Sequence, residues 1–225
     1  MSTEPGLYRL MTWLSPSYPV GAYAFSHGIE YAVESGRVRD GASAGAWITD
    51  LVELGNGRAD LVFLREAWES AESPGELREI AEYCLAYQAT SELRTESLAQ
   101  GRAFAVVTEQ AWPHEILLTA LEALGEGRPY PVIVGCVARA HGVAKESVML
   151  AYGHAFVANL VSAAVRLVPL GQTDGQRLTA ELEAAVDVAV REAHALTRYT
   201  VSNATIMGDI SSMQHECQYT RLFRS

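Results

Sequence analysis

Cysteine is scarce in this chain: Cys84, Cys136 and Cys217 are its three, far apart and with no CxxC among them. That excludes a disulfide framework or a closely spaced thiolate zinc site, and points to reduced thiols, with Cys84 and Cys136 as small core residues. Basic residues are also in short supply, 17 Lys and Arg against 27 Asp and Glu, for a net charge of −10. Nucleic acids and anionic membranes require a basic face, so neither is an expected partner. Runs of alternating apolar and polar residues are missing, and strands with them. No basic stretch precedes a long apolar run at the N-terminus, so no signal peptide is read there. No linker rich in Gly, Ser or Pro divides the chain, and no repeat is evident.

The motifs of common catalysts are absent too. There is no GxxxxGK[ST] phosphate loop, and GEGRP at 125–129 reads as a turn. His114-Glu115 begins like a zinc-protease helix, but Leu118 stands where the second histidine belongs. No Ser or Cys lies in a GxSxG setting. The expectation is a protein without catalytic residues and without a cofactor.

What is present is helical periodicity nearly everywhere. Helices are expected at about 6–14, 26–35, 42–54, 59–72, 76–89, 91–110, 114–124, 131–141, 144–168 and 175–198. Ser73-Pro74-Gly75, Trp112-Pro113 and Arg128-Pro129-Tyr130-Pro131 punctuate them, and Gly36 suits a left-handed helix end. The run 148–170 is long enough to cross a membrane, but His154, Asn159 and Arg166 interrupt it, and it reads as a buried central helix. The fold class is all-α, one compact domain of about ten helices. Residues 199–213 lose the helical pattern and read as a flexible lead to the C-terminus.

Three segments stand out. The first is the tail QHECQYTRLFRS, 214–225, which carries Tyr219, Leu222 and Phe223 where termini normally end in small or charged groups. Arg221 and Arg224 against a single Glu216 make it positive on an acidic chain. Ordering twelve residues costs ~12–24 kcal/mol, whereas burying the three large side chains returns ~5–9 kcal/mol. Arginine hydrogen bonds add ~1.5–3 kcal/mol each. The tail is therefore expected to order on a partner, dividing the chain into a body, 1–213, and a partner-binding tail, 214–225. His215 and Cys217 within it form HxC, a weak candidate metal pair that two ligands do not complete.

The second segment is SPSYPVGAYAFSHGIE, 15–30, where Tyr23 and Phe25 follow two prolines and a glycine and suit either core packing or a contact surface. The third is RLVPLGQTDGQ, 166–176, read as a bend in which Gln172 and Gln176 satisfy backbone groups.

Together these segments resemble the urease accessory protein UreF family. Pro19-Val20-Gly21 with Tyr23, Phe25, Ser26, Gly28, Ile29 and Glu30 is similar to one family motif, Arg166 through Gln176 to a second, and His215 through Ser225 to a third. SELRTESLAQGRAF at 91–104 also fits, and Cys217 departs from the family's usual Thr. The resemblance implies an all-helical cytoplasmic chaperone with no reaction of its own. It implies partnership with UreD (also called UreH), the GTPase UreG and apo-urease, with a homodimer inside the complex, for delivery of nickel. Tyr23, Phe25, Tyr219, Arg221, Leu222, Phe223 and Arg224 are the expected partner-binding residues. Regulation of the UreG GTPase is the alternative to a scaffold, and a carrier that itself holds nickel is a weaker third. Outside the family the rival is an unrelated helical enzyme.

Overall fold

The structure, a computed structural model, describes residues 4–225. Among them are α1 (Glu4–Trp13), a 3₁₀ turn (Ala22–Ala24), α2 (Ile29–Glu34), α3 (Gly41–Glu53), α4 (Asn56–Glu69), α5 (Pro74–Tyr87) and α6 (Ser91–Ala111). Then follow α7 (Glu115–Leu124), α8 (Tyr130–Ala140), α9 (Lys145–Leu167), α10 (Gln172–Glu181), α11 (Glu183–Ala195) and α12 (Ile206–His215). No strand occurs among the described residues. All ten stretches read from periodicity carry helix, and the last of them, 175–198, is two helices joined at Leu182.

Local chemistry explains the boundaries. Asp40 accepts from Ser43 N at 2.8 Å and Thr90 Oγ1 from Leu93 N at 3.1 Å, each satisfying an orphan donor of a first turn. Pro74 opens α5, where a missing N–H costs nothing. Gly36 closes α2 at φ +73°.

The hub is α4, buried on every side from Asn56 to Ala67. It packs against α3, α5, α8, α9 and α11. A Cβ on Gly135 of α8 would sit 2.4 Å from Leu64 O, so the α4–α8 contact is backbone to backbone. α9 meets the membrane-span criterion by length and composition, yet it packs against α2, α3, α4, α10 and α11. One continuous apolar core runs from Leu10 to Ala193, and the fold is a single all-α domain.

Charged residues on the hub are all engaged. Arg65 donates to the carbonyls of Ala193 (3.1 Å) and Leu196 (2.8 Å) and so caps the C-terminal end of α11. Arg58 pairs with Glu192 at 2.6 Å and reaches Ser202 O. Glu66 accepts from Arg198 Nη1 at 2.8 Å.

These bonds correct the reading of 199–213 as a flexible lead. The segment is strapped to α4 through Arg58 and Ser202 O and to the end of α3, with Ala204 N donating to Leu54 O at 3.0 Å, and then forms α12. That helix is inverted. Its small residues Gly208, Ser211 and Ser212 face inward, while Ile206, Met207, Ile210 and Met213 are 38–68 % exposed. Gly28 in the turn before α2 makes the approach possible, because a Cβ there would lie 2.7 Å from Ser212 N. A helix whose buried face is Gly and Ser carries no apolar period to read.

Candidate partner-docking site

The three segments singled out in the sequence meet in space. His215, at the end of α12, is completely buried. Its Nδ1 lies 2.8 Å from Glu92 Oε2 on α6 and its Nε2 3.0 Å from Glu30 Oε2 on α2. Glu30 also accepts the backbone N–H groups of Leu222 (2.6 Å) and Phe223 (2.9 Å). Arg221 reaches Glu92 Oε1 at 2.9 Å. Residues 224 and 225 run beside the 24–26 loop, with Arg224 N donating to Ala24 O at 2.7 Å and Ser26 N to Ser225 O at 2.8 Å. Ser26 Oγ also donates to Ser225 O, and Ser225 Oγ donates to Glu96 Oε2 at 2.7 Å.

The third segment covers the joint. The Arg166 guanidinium lies 4.2 Å from the centroid of the Phe223 ring and donates to Tyr23 O at 2.9 Å. Burial in this stack pulls the Arg166 pKa down. Asn159 of α9 donates to Phe25 O at 3.2 Å. The bend after Arg166 is otherwise not as read from the sequence. Gln172 and Gln176 are exposed and stitch nothing; Asp174 fastens the bend by accepting from Gly171 N at 3.1 Å.

The tail is thus seated on the body, and the sequence arithmetic that left it without a seat had a physical omission. It counted apolar burial and two arginines but not Glu30, Glu92 and Glu96, whose carboxylates accept from tail backbone and side chains alike. Of the expected contact residues, Phe25 and Phe223 are only 5 % and 4 % exposed and belong to the chain's own packing. Tyr23, Tyr219 and Leu222 are open, at 70 %, 103 % and 64 %. Arg221 and Arg224 lie on the surface.

His215 and Cys217 do not form a metal pair. Both nitrogens of the buried ring face carboxylates, while the thiol is exposed. Among the described residues no three His, Cys, Asp or Glu side chains gather to hold an ion.

Beneath the 15–27 loop lies a cavity of about 200 Å³ lined by His27, Asp60, Glu96, Gln100, Tyr130 and Tyr152, among others. Burial pushes the Asp60 carboxyl up to about 7, against the opposing bond from Tyr152 Oη at 2.7 Å. Burial pulls His27 down, but Glu96 beside it at 3.1 Å leaves it raised on balance. That contact lacks hydrogen-bond alignment and acts through charge. Burial likewise raises Glu92, opposed by His215 and Arg221.

Sequence reasoning missed the carboxylates that do this work. A usable signal was present: Glu92 and Glu96 are one helical turn apart, so they share a face of α6, and Glu30 closes the first segment's motif.

Comparison with known proteins bears on the whole chain. The sequence model of the UreF family matches residues 38–183. A urease accessory protein UreF from Rhodopseudomonas palustris strain BisB5 is 46 % identical over 97 % of this chain and 91 % of its own length. Relatives of the same name from Methylorubrum populi (46 %, covering 96 % of this chain and 98 % of the relative) and a Bradyrhizobium species (45 %, 99 % and 93 %) are similar to the same degree. With a family match over more than half its length and relatives along nearly all of it, this chain belongs to the UreF family.

Proposed function

We propose that this chain is a scaffold in urease maturation, working in the cytoplasm and performing no reaction of its own. In this reading it joins UreD/UreH, recruits the GTPase UreG and docks on apo-urease so that nickel, the cargo, reaches the enzyme; within the complex it is a homodimer. The observation that carries the reading is the state of the tail. Its backbone is pinned by Glu30 while Tyr219 and Leu222 stand in water. Large apolar groups held rigidly outward are a preorganised contact, because little entropy remains to be lost when a partner covers them. Tyr23 and the outer face of α12 add to the exposed apolar surface.

The experiment is co-purification of the tagged chain with UreD/UreH, UreG and apo-urease, singly and together, with GTP hydrolysis by UreG measured in the same mixtures. Recovery of the assembly with hydrolysis unchanged supports the scaffold. Accelerated or suppressed hydrolysis favours regulation of the GTPase. Failure to recover any of the three would sink the reading.

A further inference from the structure

The joint between the tail and the body is dense in ionisable groups. Three carboxylates, Glu30 on α2 and Glu92 and Glu96 on α6, face His215, Arg221 and His27. With both histidines protonated these charges cancel. With both neutral, Arg221 alone faces three acids, two of them deeply buried. His215 is the critical member. An ionised carboxylate can only accept, so bonds from both ring nitrogens require a hydrogen on each. Loss of one would aim a nitrogen lone pair at a carboxylate oxygen within 3.0 Å, inside the protein.

We infer that His215 is a proton-operated clasp: doubly protonated, it holds residues 216–225 against α2 and α6, and loss of one proton frees the tail from the body.

The surrounding groups favour this polarity. From α2 the ring meets Glu30 and from α6 it meets Glu92, which Arg221 of the tail shares. Glu216, next in the chain, is turned away and accepts from Ser91 Oγ. The second histidine, His27, faces Glu96 and, across the cavity, Asp60 of α4, with the Phe156 ring of α9 packed on it. Among the described residues, no cation other than Arg221 pairs with Glu30, Glu92 or Glu96 to replace a discharged histidine. The linkage sign follows. A histidine whose charged form is held only in the docked state stabilises docking at low pH, and that contribution disappears as pH rises. At the acid end, protonation of Glu92 removes the acceptor for Arg221, so docking is confined to a window. The clasp is a property of this chain alone and stands or falls independently of the partners proposed above.

The chain carries its own reporter position. Cys217 is exposed while Cys84 and Cys136 are buried, so a thiol-reactive fluorophore marks the tail of the intact protein. Its anisotropy is followed from about pH 6 to about pH 9, the range that brackets histidine titration, with far-UV circular dichroism in parallel. The expected result is a reversible fall in anisotropy as pH rises, with the helical signal retained. In Glu92→Gln the ring keeps one carboxylate instead of two, and release should come at lower pH than in the wild type. In His215→Gln the alkaline step should vanish; should that variant fail to fold, the wild type and Glu92→Gln still decide. A tail that stays rigid to pH 9, or a step that Glu92→Gln leaves in place, overturns the clasp.

Discussion

Glu30 and His215, 185 residues apart in sequence, meet at 3.0 Å inside the protein. The same carboxylate takes the backbone N–H groups of Leu222 and Phe223. One side chain thus closes the end of α12 and the start of the final stretch together. A hydrogen bond to a charged group contributes ~1.5–3 kcal/mol, and removing one partner of a buried charge pair costs ~3–5 kcal/mol. Glu30→Ala should therefore release the tail while the α4 hub stays intact. Amide hydrogen exchange is the measurement, with protection at Leu222 and Phe223 expected to fall by about 100-fold or more and protection in α4 unchanged. Equal loss in both places would mean that Glu30 supports the whole fold.

Deleting residues 216–225 separates seat from core. The cut removes Phe223, worth ~1.5–3 kcal/mol if buried, but it takes nothing from the continuous core between Leu10 and Ala193. Far-UV circular dichroism should be nearly unchanged, and the melting temperature should fall by roughly 3–12 °C at about 2–4 °C per kcal/mol. If the tail carries the proposed contact with UreD/UreH, that binding should be lost. Loss of the helical signal instead would make the tail part of the folding unit.

Two glycines with the same backbone conformation test the α2–α12 contact. Gly28 and Gly36 have φ +75° and +73°. A Cβ at Gly36 meets open space, whereas at Gly28 it would lie 2.7 Å from Ser212 N. Gly36→Ala should cost only the left-handed penalty, about 1 kcal/mol. Gly28→Ala carries the same penalty plus displacement of α12, for about 3 kcal/mol or more in total. Urea denaturation compares them, and equal costs would show that α12 can shift without loss.

Asp60 predicts a pH dependence. Its carboxyl is raised from the ordinary value of 3.8 to about 7 by burial, so between those values the folded state holds a proton that the unfolded state has released. Its stabilising contribution is complete below about pH 4 and is lost as pH rises through about 7. Asp60→Asn keeps an acceptor for Tyr152 and removes the charge. The variant should be more stable than the wild type above pH 7, by at most about 4 kcal/mol at ~1.4 kcal/mol per unit. The difference should shrink as pH falls toward 4. Parallel stability curves across that range would count against it.

The fold was legible where it rests on apolar periodicity. Ten stretches read that way are helical because each buries an apolar face, α4 on all sides. It was illegible where small residues do the packing, as at Gly208, Ser211 and Ser212, which put the apolar side chains of α12 outside. The site was half legible. The tail's exposed Tyr219 and Leu222 are visible as composition, but Glu30, Glu92 and Glu96 look like ordinary surface acids until the fold brings α2 and α6 together around His215. Phe25 could not be told from Tyr23 by sequence, because both are aromatic residues of one loop and only the fold buries the first and leaves the second open.

That distinction yields a prediction for the pair still in water. Leu222 projects from a backbone held by Glu30, and Tyr219, three residues before it, is fully exposed. Truncating exposed side chains leaves no cavity, so Tyr219→Ala with Leu222→Ala should change stability by less than about 0.5 kcal/mol. If the pair is an anchor for UreD/UreH, each side chain contributes ~2 kcal/mol or more to binding. Affinity for UreD/UreH should then fall by about 100-fold or more, with the melting temperature unmoved. Phe223→Ala is the counterpart, because its ring is buried under Arg166 and should cost stability first. Calorimetric titration of UreD/UreH into each variant, beside thermal melts, reads both quantities. Unchanged affinity in the double variant would remove the tail's outer face from the interface and leave Tyr23 and the outer face of α12 to carry it.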